Sequence, residues 1–177
     1  DADALARLAG DTAAVGRSHV ADALVEAGVV RDRGEAFRDL LGTGRPAYVG
    51  RYAAELEQMV GTVAAAGGVT VVAHPWGRSG PGPLDEAGLA RLAAAGLAGI
   101  EVDHEDHDPA TRGRLRAIAR DLDLVVTGSS DHHGSGKNGH DLGCNTTHPA
   151  ELERLLDLAA RARAAAGRGV KALLAAQ

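Results

Sequence analysis

The sequence predicts an α/β chain organised around a parallel sheet, and three observations carry that prediction. Short, continuous apolar runs recur at Val69–Ala73, Gly99–Asp103 and Leu124–Gly128, each pair is separated by a stretch with helical periodicity, and glycines close those helical stretches. Connections long enough to hold a helix place successive strands side by side and parallel, with both faces of the sheet covered. Of the 177 residues 45% are hydrophobic but only 2% aromatic, so the core has to be assembled from Ala, Val and Leu.

Taken in order, the chain opens on Ala2, Leu5, Ala6, Leu8 and Ala9, spaced as a helix already in progress, so Asp1 is not expected to be a natural start. Ser18 reads as the cap of a helix through Val20, Leu24 and Val25, with Gly28 as its stop, and a second short helix follows over Glu35–Leu41. Gly42, Gly44 and Pro46 then interrupt every periodicity through Tyr48 and Tyr52, which marks a boundary: residues 1–50 form a small helical subdomain and residues 51–177 a set of β/α units.

Within the second part, Ala53–Ala66 is helical and stops at Gly67 and Gly68 before the strand Val69–Ala73. The helix Asp85–Ala95 ends at Gly96 and leads into Gly99–Asp103; Asp108 caps Pro109–Arg120, where proline in the first turn costs no hydrogen bond, and Leu124–Gly128 is the third strand. Pro149–Ala166 is the last clear helix, expected to pack through Leu152, Leu155, Leu156 and Ala159, and the tail to Gln177 reads as a further helix or a frayed end.

The formal net charge of −5 gives no general attraction for nucleic acid or an anionic membrane, so binding to extended duplexes is not expected and any phosphate recognition has to be local. One cysteine, Cys144, excludes an intrachain disulfide, fits a reducing compartment and reads as a small buried residue. No run reaches the roughly 18 apolar residues of a membrane span, and no charged-then-apolar leader opens the chain, so a cytoplasmic location is expected.

Groups able to hold a metal sit just past each strand: His74; then Asp103, His104, Asp106 and His107; then Asp131, His132 and His133. In a parallel sheet these positions lie at one rim, and imidazole with carboxylate is the ligand set of borderline divalent ions such as zinc, manganese and iron. The segment Gly128-Ser129-Ser130-Asp131-His132-His133-Gly134 can turn sharply off its strand; extended alternation would put Asp131 and His133 on one side and His132 elsewhere, against the alternative of a turn-capping aspartate beside solvated histidines. Pro75 is expected to hold His74 extended and aim its ring at the rim, where a satisfied core histidine is the other reading.

His104 and His107 read mainly as a solvated loop, with metal or substrate contact as the alternative. Arg78, Lys137 and His140, near glycines, are candidates for phosphate contact against plain surface exposure. Arg45 and Tyr48 can line an entrance, Tyr48 equally by packing, and Glu101 is expected to make a structural hydrogen bond.

Ala73-His74-Pro75, Gly99-Ile100-Glu101-Val102 and the Gly128–Gly134 turn, in this order and spacing, resemble PHP phosphoesterases. Gly16-Arg17-Ser18-His19-Val20-Ala21 and Gly44-Arg45-Pro46-Ala47-Tyr48-Val49 are similar to the helical insertion of the subgroup that dephosphorylates nucleoside 3′,5′-bisphosphates and trims short RNA from its 5′ end. The resemblance implies a distorted seven-stranded TIM-like barrel, of which this chain supplies the C-terminal portion. It implies up to three divalent ions (Mn, Zn, Fe or Mg), with His74, Asp131 and His133 as ligands, and Arg17 and His19 holding the substrate phosphate.

The family opens on a His-x-His strand, an Asp-His pair, a glutamate and a further histidine, none of which precedes Asp1 here, so the first part of the domain is expected to be absent. The implied reaction is hydrolysis of phosphate monoesters of nucleotides or short RNA 5′ ends by metal-activated water, with no side-chain nucleophile. A histidinol-phosphate-type small-molecule phosphatase, which should lack the Gly-Arg-Ser-His segment, and a noncatalytic metal-binding or regulatory remnant are the alternatives.

Overall fold

The computed structural model describes residues 3, 6, 7, 10, 15–50, 53–77, 80–133, 137 and 139–167. They fall into two compact units, Asp1–Ala53 and Ala54–Gln177. The helix read over Ala2–Ala9 and the tail after residue 167 lie mostly or wholly outside the described residues.

The first unit is helical. Helix α1 (Arg17–Glu26) is followed by the single turn α2 (Arg33–Ala36), which runs into a π-helical turn at Phe37–Leu41. Ala21, Val30, Ala36 and Leu41 form its small core. The expected Ser18 cap is replaced: α1 starts on Gly16, whose N–H donates to the ring Nδ1 of His19 at 3.0 Å, because the imidazole three residues on reaches back to an orphan amide. Asp32 caps α2 by accepting from the Glu35 N–H at 2.8 Å, and Arg33 forks onto both carboxylate oxygens of Asp22.

The second unit holds the sheet. Strands β1 (Val71–Val72), β2 (Gly99–Asp103) and β3 (Val125–Gly128) are parallel and ordered 1-2-3, with Val71 opposite Gly99 and Ile100 opposite Val126. Helices α3 (Leu56–Ala65), α4 (Glu86–Ala94), α5 (Pro109–Asp121) and α6 (Pro149–Ala165) alternate with them. Strand β1 is shorter than the five-residue run in the sequence because the chain turns immediately after it, at His74.

Ile100 and Val102 of β2 are fully buried and pack with Leu89 and Leu92 from α4 and Leu115 and Ile118 from α5. Each such side chain contributes about 1.5–3 kcal/mol through burial. Gly99 permits the close approach of β3, since a Cβ there would lie 2.6 Å from the Val125 carbonyl oxygen. Asp85 and Asp108 cap α4 and α5 by accepting from Gly88 and Thr111 N–H groups at 2.8 and 2.7 Å.

Helix α6 departs from its expected packing. Leu152 and Leu156 are exposed, while Glu151, Arg154, Leu155, Leu158 and Ala159 make up the half-buried stripe. The reason is polar: Glu151 accepts the Val126 N–H at 2.8 Å, Arg154 donates to the Leu124 and Asp123 carbonyls, and Thr147 both accepts from and donates to the backbone of Gly128. The far edge of β3 is thus satisfied by side chains instead of another strand. Cys144, expected to be buried, is exposed in the loop before α6. Among the described residues no helix is long and apolar enough to cross a membrane.

Candidate metal centre

The three strands end at one rim, and one ligand atom each from His74, His104 and Asp131 lies within 4.8 Å of the others. His74 follows β1, His104 follows β2 and Asp131 follows β3, so strand order and parallel direction alone bring together residues far apart in sequence.

His74 is not extended. Its φ is +29° despite the following proline, a left-handed conformation that costs on the order of 1–3 kcal/mol. What holds it is the buried carboxylate of Glu101, only 6% exposed, whose Oε2 accepts the His74 N–H at 2.7 Å. The backbone of His74 is therefore set by an acid on the neighbouring strand, and the ring remains exposed at the rim.

His104 and His107 are buried, at 0% and 2% exposure, where the sequence suggested a solvated loop. The correction comes from α5: Arg112 donates to the carbonyls of His104 and His107 at 2.6 and 2.9 Å, and Arg116 donates to both oxygens of Asp103 at 2.6 and 2.7 Å. These arginines, one turn apart, pull the acidic loop onto the helix and close it over its own histidines. The ring of His104 then sits at the centre of a histidine cluster, with centroids of His74, His107 and His140 at 4.8, 5.6 and 5.4 Å.

Each ring has a defined polarity. His104 Nδ1 accepts from the Asp106 N–H at 3.1 Å, and its Nε2 is 3.3 Å from Asp131 Oδ2. His107 Nδ1 donates to the Val102 carbonyl at 2.9 Å, and its buried Nε2 has no hydrogen-bond partner among the described residues. Burial pushes the His104 imidazole below its ordinary range, against the opposing pull of the Asp131 hydrogen bond, so it is held neutral.

Asp131 is half-buried and has φ +49°, a conformation aspartate tolerates better than most residues. The extended alternation expected for Asp131 and His133 fails at this point, since a left-handed residue breaks the two-residue period. His133 turns its Nδ1 to the Asp131 carbonyl oxygen at 2.8 Å and lies 3.5 Å from Asp131 Oδ1, with 55% of its side chain exposed. Burial raises the Asp131 carboxyl, but the hydrogen bond and charge of Lys137, aided by His104 and His133, outweigh it and hold the group below the usual carboxylate range. An ionised carboxylate at neutral pH is what a cation site requires.

The remaining candidates divide. Lys137 ion-pairs with Asp131 Oδ2. His140, 2% exposed, donates from Nδ1 to the Ser130 carbonyl at 2.8 Å, with Nε2 3.8 Å from an Asp106 oxygen. His132 donates to the His140 carbonyl at 2.9 Å, which ties the turn together. Arg78 lies outside the described residues. Within the first unit Arg17 stacks over Tyr48, 5.6 Å from the ring centroid, and donates to the Leu41 carbonyl at 3.4 Å, while His19 is engaged as the α1 cap.

The two imidazoles and the carboxylate that meet here are the donor types suited to a borderline divalent ion. The residue that sequence reasoning undervalued is His104, and the usable signal was the pair Arg112 and Arg116 at the start of the following helix.

No protein-family profile matches the chain. Among curated proteins it is 38% identical over 130 residues to a 3′,5′-nucleoside bisphosphate phosphatase of Chromobacterium violaceum, covering 73% of this chain and 45% of that protein. It is 32% identical over 119 residues to a 5′-3′ exoribonuclease of Haemophilus influenzae, covering 67% and 43%. Among solved structures, one designated a metal-dependent phosphoesterase, from Bifidobacterium adolescentis, superposes with a TM-score of 0.80 at 35% identity, over 88% of this chain and 55% of that one. An amidohydrolase from Chromobacterium violaceum with bound sulfate gives 0.72 at 30% identity over the same shares. The chain is thus similar in sequence and fold to metal-dependent phosphoesterases, and it spans about half the length of these relatives.

Proposed function

We propose that this chain is the C-terminal portion of a PHP-type, metal-dependent phosphoesterase, and that its substrates are phosphate monoesters of nucleotides or short RNA 5′ ends. The observation that carries the reading is the meeting of His74, His104 and Asp131 at the ends of three adjacent parallel strands, in a chain similar to such enzymes. The similarity to a bisphosphate phosphatase and an exoribonuclease favours nucleotides over a histidinol-phosphate-type substrate.

In this reading His74, Asp131 and His133 hold a divalent ion, and up to three ions are bound in the intact domain, whose further strands would complete a distorted barrel. A divalent ion held there would supply an activated water and neutralise charge on the phosphoryl group. The chain's own residues position it. Lys137 helps to hold the Asp131 carboxyl below its ordinary range, Glu101 fixes the backbone that presents His74, and His133 is oriented by its Nδ1 contact with the Asp131 carbonyl. Lys137, with Arg78 and His140, is assigned to the substrate phosphate from the second unit, His140 by supporting the turn from its buried position, and Arg17 and His19 are the candidates of the first unit. Residues 1–50 are read as the helical insertion and residues 51–177 as the metal-bearing β/α units.

The test is calorimetric titration of manganese and zinc into the chain and its His74→Ala and Asp131→Ala variants, followed by phosphate release from a nucleoside 3′,5′-bisphosphate and from histidinol phosphate. Both substitutions are expected to weaken metal binding at least tenfold. Unchanged affinity in both ends the metal assignment, and preferential release from histidinol phosphate ends the nucleotide assignment.

A further inference from the structure

The histidines at the rim differ in which nitrogen carries the proton. His107, His132, His133 and His140 each turn Nδ1 toward a backbone carbonyl, of Val102, His140, Asp131 and Ser130 respectively, at 2.8–2.9 Å. A carbonyl only accepts, so Nδ1 carries the hydrogen in all four and Nε2 is the nitrogen left to accept when the ring is neutral, the arrangement found in metal-ligating histidines. His104 is wired the other way. Its Nδ1 is 3.1 Å from the N–H of Asp106, which only donates, so Nδ1 is bare and the single proton of the neutral ring sits on Nε2. That proton faces Asp131 Oδ2 at 3.3 Å, an acceptor.

We propose that His104 keeps its Nε2 proton and acts as a positioning residue for Asp131, donating to Oδ2, instead of serving as a ligand of the cation. The inference rests on the reading that Asp131 binds a divalent ion. Ligation through Nε2 would require an imidazolate or a ring turned over so that Nδ1 abandons the Asp106 amide. The ring is 0% exposed, and Arg112 holds the His104 carbonyl at 2.6 Å, so neither side chain nor backbone has room to turn. With His104 and Lys137 both donating to Oδ2, that oxygen is occupied. Oδ1 faces His133 Nδ1 at 3.5 Å, but that hydrogen is already given to the Asp131 carbonyl, so Oδ1 is the oxygen left for a cation. His104 therefore selects which carboxylate oxygen binds and fixes the plane in which it does so.

The experiment is a long-range proton–nitrogen correlation spectrum of the imidazoles in the 15N-labelled chain, metal-free and with zinc. The metal-free spectrum is expected to show His104 protonated on Nε2, and the zinc-loaded spectrum to retain that pattern while His74 shifts. Zinc affinity should stay within about threefold in His104→Gln, whose amide N–H replaces the donor, and fall about 10–100-fold in His104→Phe, the range of an outer partner of a metal ligand. A proton on Nδ1 in the metal-free chain, or loss of the Nε2 proton on zinc addition, overturns the proposal, as does a loss in His104→Gln equal to that in His104→Phe. Zinc binding that is absent, or indifferent to Asp131→Ala, defeats the metal reading and this proposal together; Asp131-dependent binding with a zinc-bound His104 Nε2 defeats this proposal alone. The wild-type spectra decide the matter even if His104→Phe does not fold.

Discussion

The ends of β2 and β3 carry similar letters, acids beside histidines, yet they are built as opposites. After β2, His104 and His107 are fully buried and their carbonyls are clamped by Arg112. After β3, Asp131 sits at a left-handed φ, His133 is largely exposed, and the segment is held by imidazole-to-carbonyl bonds within itself. Under the proposed metal assignment the difference separates roles: the β2 end is scaffold that orients, and the β3 end presents the charged group proposed to bind. Substitutions at the two ends should separate along that line.

The largest separation is expected from Asp131→Ala. Metal affinity should drop by about 100-fold or more, since the carboxylate of the cluster among the described residues is removed, while the metal-free chain should lose only about 1–3 kcal/mol, the cost of leaving the buried His104 N–H without its acceptor. Titration calorimetry alongside thermal unfolding checks it, and a collapse of the metal-free fold would show that the β3 end is scaffold too.

Next comes Arg112→Leu at the β2 end. It removes two charge-assisted hydrogen bonds, at 2.6 and 2.9 Å, leaving the His107 carbonyl without its arginine and the His104 carbonyl with the His107 N–H at 3.1 Å; the expected cost is about 2–4 kcal/mol of stability, read by denaturant unfolding. Metal affinity should fall only as a consequence, and be recovered at low temperature, where the fold is intact. Loss of metal binding without loss of stability would reverse the assignment of roles.

These two regions also show what could be read from sequence. Strand Gly99–Asp103 and the Asp108–Pro109 helix start were legible because local pattern decides them: an apolar run between a glycine and an acid, and a capping carboxylate before proline. The burial of His104 and His107 was not, because it depends on Arg112 and Arg116 returning from the next helix. The left-handed turn of His74 depends on Glu101, 27 residues away on another strand, which overrides the extended preference imposed by Pro75. The β3 turn was half legible. Its glycines and aspartate announced a sharp bend, but the bend falls on Asp131 itself and so cancels the alternation from which a shared face for Asp131 and His133 follows.

A smaller effect concerns pH and isolates the β2 end. The unfolded chain protonates His104 near pH 6.5, whereas burial lowers that pKa in the folded state. Between the two values the unfolded state binds more protons, so stability present above about pH 6.5 is lost as pH falls below it, at no more than about 1.4 kcal/mol per pH unit. Asp131, whose pKa is lowered, contributes in the same sense only at more acidic pH, as the folded carboxylate takes up its proton. Unfolding of the metal-free chain between pH 7 and 5 should show the first slope, and His104→Gln should flatten it. A slope that survives in His104→Gln belongs to another group.

The smallest effect is at the β3 end and has the opposite sign to the rest. Lys137 is paired with Asp131 Oδ2, which lowers the carboxyl further but also places a positive charge beside any cation that arrives. Lys137→Met removes that repulsion while keeping the aliphatic stem, and because the carboxylate is ionised at neutral pH without help from lysine, the ionising benefit is not missed there. Metal affinity at pH 7 should therefore rise about twofold to fivefold, and phosphate release should fall if the ammonium also meets the substrate. At pH 4 the gain should disappear, because the Asp131 carboxyl without its lysine reverts toward the ordinary range and protons compete with the metal. Titrations at the two pH values measure both halves; a loss of affinity at pH 7 would mean that Lys137, like His104, serves mainly to hold Asp131 in place.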